Sequence, residues 1–473
     1  MSGPLETSAA LKQRRRRKKE RGVALIMVMA AIAVLTVMLA EFQDDTSAEA
    51  AAALADRDSV QAEYMAKSAV NLSRLLIAAE PTVRGAIAPL FAFMRKTPPQ
   101  IPVWEFSDRI LGVFSDAEGT ADFAATLGVD PSRGKNLGLP GGRFELVIVD
   151  EDSKINVNLG AANDIAHIRL AQELMGLMAP QVNNPLFEQK DGAGQFHDRL
   201  STCSAIIDWA DVDESLFNCD LSQISSAQNS GVEDAWYQLL PKQYRRKNAP
   251  YDSLEELHLV RGVTDDFWAT LADPDPQNPK KRALTVWGQG AINVNTANGQ
   301  TLLAVVCAGA PQSEICVDPI QMQTFLTGVT MAKGISMGAP IFGSTKDFVD
   351  MMTGKGMLGP MLAGAMGMKP VKFKSEAEFQ KSITTSSKMF SIYAVGVKKG
   401  YRRDTRVAIH SVVDFRTAPP LSTPGLPGAS PATAASSNPA SPASPIAGKV
   451  DPNAISQAMQ PSTGGQIVYF RID

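Results

Sequence analysis

The sequence is poor in the residues that most often carry catalysis. Its 473 residues include four Cys and four His, and aromatic residues make up 7%. It contains no Gly-x-Ser-x-Gly elbow, no Gly-rich phosphate loop ending in Lys-Ser/Thr and no His-Glu-x-x-His helix. With 36 Gly and 30 Pro the composition is globular, which excludes collagen, wholesale disorder and a small disulfide scaffold. We therefore expect two or three domains and no enzyme activity.

Positive charge is concentrated at the amino terminus. Residues 1–22 hold eight Lys or Arg and two acids, so without them the net charge changes from −3 to −9. An uncharged run from Val23 to Ala40 follows, and Thr36 is its only polar side chain. As a helix this run would cover roughly 27 Å, close to the roughly 30 Å of a bilayer core. The charge asymmetry predicts a single-pass membrane helix with a cytoplasmic amino end.

Two processing routes fit this amino terminus. A signal peptidase would cut beyond the run, near Ala48-Glu49-Ala50, although the run is longer than the usual hydrophobic region of a signal peptide. Alternatively, the stretch from Arg14 to Phe42 resembles the class III leader of type IV pilins and pseudopilins. That resemblance implies that a prepilin peptidase cuts between Gly22 and Val23, with methylation of the new terminus. Most pilin-like subunits carry Glu at the fifth mature position, but Met27 stands there, as is usual for general secretion pathway protein K.

The pattern beyond the apolar run predicts further elements. The first helix should continue until Pro81 ends it. Alternation predicts a β-hairpin over 143–158 that turns at 150–153, a second hairpin from Met389–Val397 to Thr405–Phe415, and a terminal strand over 466–473. This last strand could close its own sheet, which we favour, or add to the edge of a neighbour's sheet. The tetrad Ile-Asn-Val-Asn occurs at 155–158 and again at 292–295, each time before a helical pattern. We interpret these tetrads as the flanks of an inserted helical module.

That module contains a helix-hairpin-helix pattern. Ser253 and Glu256 form a possible capping box at the start of the first helix. Gly262 would end that helix, and Thr264 would cap the start of the second. Such hairpins often bind DNA phosphates, which supports an alternative: a membrane-tethered binding protein of a DNA-uptake pseudopilus. The neighbouring acids favour a packing role and no binding of nucleic acid.

Several segments stand in the order found in general secretion pathway protein K. They are 154–158, 207–214, 231–237, 248–257 and 292–296. With the leader, this resemblance spans about residues 14 to 310. It implies an α/β (α+β) pilin-like fold with a long transmembrane helix, an antiparallel sheet and a large inserted helical domain. It also implies a minor pseudopilin that caps or initiates the tip of a secretion pseudopilus. The partners implied are minor pseudopilins I and J, the major pseudopilin, the inner-membrane assembly platform and the prepilin peptidase.

An acidic cluster suggests a metal site within the insertion. Asp208, Asp211, Asp213 and Glu214 lie close together, and Glu233 and Asp234 follow. Hard oxygen ligands suit calcium, although an exposed acidic loop explains the cluster equally well from the residues alone. The resemblance implies calcium, with Asp211, Asp213, Glu233 and Asp234 on the acidic positions of the family. We add Asp208 from the cluster itself as a further candidate ligand.

The four cysteines allow three pairings. The local pairs are Cys203 with Cys219 and Cys307 with Cys316, and these are favoured in an oxidising periplasm. Zinc is the alternative, but no Cys-x-x-Cys pair occurs.

These inferences predict the following organisation: a leader over 1–22, the anchor and pilin helix over 23–80, the body over 81–164, the inserted domain over 165–285, the second part of the body over 286–416, a Pro/Ala/Ser-rich linker over 417–465 and a strand over 466–473. The first helix would lie in the inner membrane and the bulk of the chain in the periplasm.

Overall fold

The structure is a computed structural model that describes residues 8–93, 97–115, 141–190, 194–220, 235–336, 338–356, 358–400, 403–419 and 462–473. Its α-helices are α1 (Ser8–Phe93), α2 (Ser107–Leu111), α3 (Asp164–Met178), α4 (Arg199–Asp208), α5 (Asp265–Phe267), α6 (Gly299–Gly309), α7 (Glu314–Val317), α8 (Pro319–Ser336), α9 (Thr345–Met352), α10 (Leu358–Met366) and α11 (Glu376–Ser382). Its strands are β1 (Gly142–Asp150), β2 (Ile155–Asn156), β3 (Leu284–Thr285), β4 (Ile292–Asn293), β5 (Ile383–Thr384), β6 (Met389–Lys398), β7 (Thr405–Asp414) and β8 (Gln466–Ile472).

Helix α1 is a rod that projects from the folded part of the chain. Every residue from Val23 to Arg57 is exposed, and this part includes the uncharged run, which is long and apolar enough to cross a membrane. From Ala62 onward one face of the helix is buried against the sheet. The helix passes Pro81, where we expected its end, and continues through Pro89 to Phe93. A tertiary contact holds it directly before Pro81, where the buried Glu80 accepts a hydrogen bond from the Ile101 amide at 3.1 Å.

The sheet that receives α1 is antiparallel throughout, with strand order β1-β6-β7-β8. Small residues let the helix approach closely. A Cβ on Gly396 of β6 would lie 1.9 Å from the carbonyl oxygen of Ala62. The buried side chains of α1, β1, β6 and β7, together with Trp104, form one apolar core. We call this unit the body, and it confirms the pilin-like α+β expectation.

A second apolar core lies in what we call the head, residues 155–383. The head is inserted between β1 and β6, which are neighbours in the sheet. The insertion is therefore longer than the 165–285 that we expected, because α6 to α11 pack in the head core and not on the sheet. The sequence pattern placed these helices in the body because it shows which residues are apolar but not which core they join.

The head consists of two similar halves, and each begins with an Ile-Asn-Val-Asn tetrad. In both tetrads the first Asn side chain accepts a hydrogen bond from the amide two residues on, at 3.0 Å. The side chain of the last Asn accepts a hydrogen bond from the backbone amide of a distant aromatic residue. Asn158 accepts it from Tyr251, and Asn295 accepts it from Phe342. Two residues beyond each aromatic residue, Ser253 and Ser344 open capping boxes. The tetrads thus start two related units and do not flank one module.

The prediction of a β-hairpin over 143–158 is wrong. Strand β1 pairs with β6, while Ile155-Asn156 pairs in parallel with Leu284-Thr285. In the same way Ile292-Asn293 pairs with Ile383-Thr384. The residues expected to form the turn, 150–153, are buried at the junction of body and head. The carboxylate of Asp150 accepts hydrogen bonds from the hydroxyls of Thr296 and Ser387, and burial raises its pKa to about 8.

The two carboxyl-terminal elements follow the expectation closely. Strands β6 and β7 form a hairpin in a continuous register from Met389 to Lys398. Strand β8 pairs with β7 and so completes its own sheet. The greater part of the predicted linker, 420–461, lies outside the described residues.

Candidate metal site

The acidic cluster begins at the carboxyl end of α4. Asp198 starts this helix through a capping box with Ser201. A disulfide joins Cys203, within α4, to Cys219, 16 residues further on. It closes a loop that carries the first four acids of the cluster. The loop is therefore tied at both ends, by the helix and by the disulfide.

Asp208 and Asp211 point inward from this loop. Asp208 is 3% exposed and Asp211 is 4% exposed. One oxygen of Asp208 accepts a hydrogen bond from the Phe217 amide at 2.8 Å. Its other oxygen, Oδ2, and Oδ1 of Asp211 are buried without a hydrogen-bond partner among the described residues. Two orphaned carboxylate oxygens are the donors that a hard cation requires.

The electrostatics of the pair show that the charged carboxylates lack compensation. Burial raises the pKa of Asp208 to about 8, and the nearby Asp211 adds to this effect. Burial, with the charge of Asp213, raises the pKa of Asp211 to about 7. Arg246 lowers both pKa values, but its two terminal nitrogens donate to the carbonyl oxygens of Asp213, at 2.9 Å, and Asp208, at 3.5 Å. A cation beside the two carboxylates would restore them to their charged form.

The remaining expected ligands are placed differently. Asp213 and Glu214 are exposed, and Asp213 accepts a hydrogen bond from the Ser215 amide at 2.6 Å. Glu233 and Asp234 lie outside the described residues. Within the ranges that the structure describes, no three acidic, His or Cys side chains converge to hold a metal by themselves. The residues present thus fit one side of a calcium shell.

The two disulfides use all four cysteines. Cys203 is bonded to Cys219 and Cys307 to Cys316, so no thiolate remains for zinc. The second disulfide ties the end of α6 to α7 and lies outside the acidic loop. It serves as a natural comparison for the first, because both lie in the head core.

The helix-hairpin-helix segment is a packing element. Its first helix is a 3-10 turn, Leu254–Leu259, and α5 continues as a π-helical turn through Ala272. The capping box of Ser253 and the cap at Thr264 are present. Gly262 turns the chain at φ 80°, but a Cβ at that position would lie 2.2 Å from the hydroxyl of Thr202 on α4. The hairpin turn therefore packs against the head and does not present its amides to a phosphate.

The sequence pattern does not reveal that Arg246 and Glu173 are buried. Arg246 lies between the acids although it is distant from them in sequence. Glu173 of α3 is 1% exposed, neither of its carboxylate oxygens has a described hydrogen-bond partner, and burial raises its pKa to about 8. In sequence Glu173 follows Arg169 by four residues, the spacing of an ordinary surface pair. No signal in the chain marked it as buried.

The cleavage residues and the non-Glu position all lie on α1. Gly22 and Val23 fall within its helical backbone, and Met27 is 68% exposed on the projecting part. A long helix that carries an uncharged apolar run and packs farther along on an antiparallel sheet defines a pilin-like fold.

The comparisons name the particular family. Residues 197–273, which include the acidic loop and the helix-hairpin-helix segment, match the family model described as type II secretion system (T2SS), protein K. This segment is similar to protein K of the secretion system, a minor pseudopilin and a structural, non-enzymatic component.

A solved structure was also compared with the chain. The crystal structure of the GspK-GspI-GspJ complex from the enterotoxigenic Escherichia coli type 2 secretion system shares 14% sequence identity, covers 59% of this chain and 76% of that chain, and gives a TM-score of 0.33. A search of curated proteins finds no match.

Proposed function

We propose that this minor pseudopilin occupies the tip of a type II secretion pseudopilus, where it initiates or caps the filament that exports proteins across the outer membrane. The observation that supports this position is the head. It is inserted at one end of β1 and β6 and is built around a core of its own, separate from the core of the body. A subunit with this added bulk would block the addition of another subunit above it, whereas subunits without a head would stack.

We propose that α1 provides both anchoring and assembly. Its uncharged run would lie in the inner membrane, with residues 1–22 in the cytoplasm and the body and head in the periplasm. Prepilin peptidase would cut between Gly22 and Val23, and the new amino terminus would be methylated. Met27 adds no carboxylate to the filament core, where a buried charge would need a partner. A tip subunit has no subunit above it to supply that partner.

The proposed partners follow from this position. Minor pseudopilins I and J would pack beside the chain, and the major pseudopilin and the inner-membrane assembly platform would lie below it. The bare rod from Val23 to Arg57 supports such packing, because a helix exposed on every side gains stability from membrane or from neighbouring helices.

We also propose calcium as the ligand of the acidic loop. Asp208 and Asp211 would each supply an inward oxygen, and further oxygens would come from Asp213, Glu233 and Asp234. When bound, calcium would supply the positive charge that the buried pair lacks, and it would hold the loop in one conformation. Its role would be structural and not chemical.

The amino-terminal sequence of the chain extracted from membranes tests the proposal most directly. A sequence that starts at Val23 is expected, since it requires cleavage before the apolar helix. A start at Met1 or beyond Ala40 would contradict assembly through this helix.

The tip position is tested separately by locating an epitope on the head within isolated pseudopili. Label at one filament end is expected, and subunits found distal to the label would contradict capping.

A further inference from the structure

The two edges of the body sheet are not equivalent. The β1 edge is closed, because the Ser115 hydroxyl bonds both the amide and the carbonyl of Phe144, at 3.1 and 3.0 Å. The opposite edge is formed by β8. In the part of the chain that the structure describes, no hydrogen bond reaches the outer side of this strand. Among the described residues, the sheet therefore ends in a strand whose outward amides and carbonyls have no partner.

The register shows which groups point outward. Ala408 and Asp473 exchange both of their backbone hydrogen bonds, at 3.1 and 2.9 Å. In an antiparallel ladder such pairs alternate with pairs that make no bonds to each other. Phe470 and Ile472, opposite Ser411 and Ile409, occupy the alternate positions. Their amides and carbonyls thus point away from β7, toward the free side.

The side chains along this edge are apolar and exposed. Ile467, Phe470 and Ile472 are 39%, 43% and 45% exposed, and their partners in the ladder lie on the sheet face that packs against α1. Soluble proteins usually protect an edge strand with charge, proline or a covering element. Strand β8 carries one cation, Arg471, whose charge is paired with Asp473 at 2.7 Å. An apolar edge with free backbone groups is the template for another strand.

The edge is continuous with the helix that would carry assembly. Arg74 of α1 donates to the carbonyl oxygens of Gly464 and Gly465, both at 2.8 Å, immediately before β8. A neighbour that packs along this side of α1 therefore meets β8 next.

A second copy of the chain does not suit this edge. Antiparallel pairing of two β8 strands in one continuous sheet requires a two-fold axis normal to the sheet, which reverses every direction in the plane of the sheet. Helix α1 packs on that sheet, so the two helices would point in opposite directions. Two chains anchored in one membrane cannot adopt that arrangement, so antiparallel pairing at this edge requires a strand from a different subunit.

We propose that the outer edge of β8 binds an extended segment of a neighbouring minor pseudopilin, whose alternate residues are apolar and cover Ile467, Phe470 and Ile472. This inference rests on the proposed function, because it names the surface through which one neighbour is held. The contact combines main-chain pairing with apolar contacts beside α1.

The test uses the full-length chain, produced with minor pseudopilins I and J in cells that carry the secretion system. A photo-crosslinking residue is placed at Phe470 or Ile472. Leu35 and Phe42 on the projecting part of α1 serve as assembly controls, and the exposed Val182 on the head serves as a background control. We expect both β8 positions to crosslink to pseudopilin I or J, and Val182 to give no such product.

A matched pair of variants, each carrying the probe at Phe470, isolates the main-chain contact. Ile472→Pro removes an outward amide but no bond to β7, so β8 should stay in its sheet. Ile472→Ala shortens the same side chain and keeps the amide. We expect the proline to lower the crosslink yield at least tenfold and the alanine to retain most of it. Hydrogen exchange of the β7 amides verifies that β8 remains paired.

The other outcomes are distinct. Crosslinks to pseudopilins from Leu35 and Phe42 but none from β8 would overturn this inference and leave the proposed function intact. If no crosslink to a pseudopilin forms from Leu35, Phe42 or either β8 position, this result would count against the proposed function itself. A β8 crosslink to a second copy or to a secreted protein, or one that the proline does not weaken, would also overturn the inference.

Discussion

Removal of the Cys203–Cys219 disulfide should weaken calcium binding as well as folding. The disulfide closes a loop of 16 residues, which in the loop-entropy relation corresponds to about 3 kcal/mol of stability. Cys307–Cys316 closes nine residues, for which the same relation gives about 2.6 kcal/mol. The two disulfides are thus nearly equal in their expected effect on unfolding. Only the first encloses Asp208 and Asp211.

The expected magnitude in binding follows from the same constraint. If roughly half of the 3 kcal/mol acts on the loop in the folded, calcium-free chain, its loss costs about 1.4 kcal/mol in binding, or a tenfold weaker affinity. The double substitution Cys203→Ala with Cys219→Ala avoids the burial of new hydroxyls at positions that are 0% and 1% exposed. The matched control is Cys307→Ala with Cys316→Ala, for which we expect an unchanged calcium affinity.

Two assays separate the two effects. Urea unfolding followed by tryptophan fluorescence reports mainly on the head, which holds four of the five tryptophans: Trp209, Trp236, Trp268 and Trp287. Calorimetric titration of the full chain in detergent with calcium gives the affinity. Equal loss of affinity in both double variants would refute the reasoning, because stability alone would then govern binding. An unchanged affinity in the first variant would show that the loop is held without its disulfide.

Three further perturbations test other parts of the structure. Gly396→Ala should destabilise the body by about 2 kcal/mol, because its Cβ would meet the Ala62 carbonyl at 1.9 Å; a change below about 0.5 kcal/mol in urea unfolding would contradict close packing there. Arg74→Ala should increase hydrogen exchange in β8 while β6 amides stay protected, since it removes two bonds to Gly464 and Gly465; equal exchange in both strands of the variant would argue against this anchor. The folded pKa of Glu173 is about 8 against an ordinary 4.5, so the folded state holds the proton more tightly and stability falls as pH rises from about 4.5 to 8. Glu173→Gln should therefore make unfolding less dependent on pH in that window, and parallel pH profiles of the two proteins would show that Glu173 is not buried.

Elements with local signals could be predicted from the sequence. Strands β6 and β7 alternate cleanly around a Lys-Lys-Gly turn, and β8 does so after a stretch rich in Pro and Ser. The capping box at Ser253 and Glu256 likewise needs only its own four residues. These features depend on near neighbours in the chain, and the structure reproduces them.

Features that depend on distant partners could not be predicted. The acids at the end of β1 suggested a hairpin turn, yet Asp152 accepts hydrogen bonds from the amides of Gln289, Lys388 and Met389, which are remote in sequence. Pro81 suggested a helix end, but tertiary contacts through Glu80 carry the helix past it. At the candidate metal site the acids themselves were found, whereas Arg246 was not. A single cation has no pattern that links it to acids elsewhere in the chain.

The position of the head also affects how the chain folds. Asp150 and Phe390 pair in the sheet although 240 residues separate them, which makes their meeting in an open chain slow and entropically costly. The parallel ladders pair Ile155 with Leu284 and Ile292 with Ile383. Once they have formed, only three stretches of chain, of about 5, 8 and 7 residues, separate Asp150 from Phe390. A loop of about 20 residues in place of 240 lowers the closure cost by about 2 kcal/mol. The head is thus a folding template for the body: once its two halves have formed, the strands that receive α1 are already side by side.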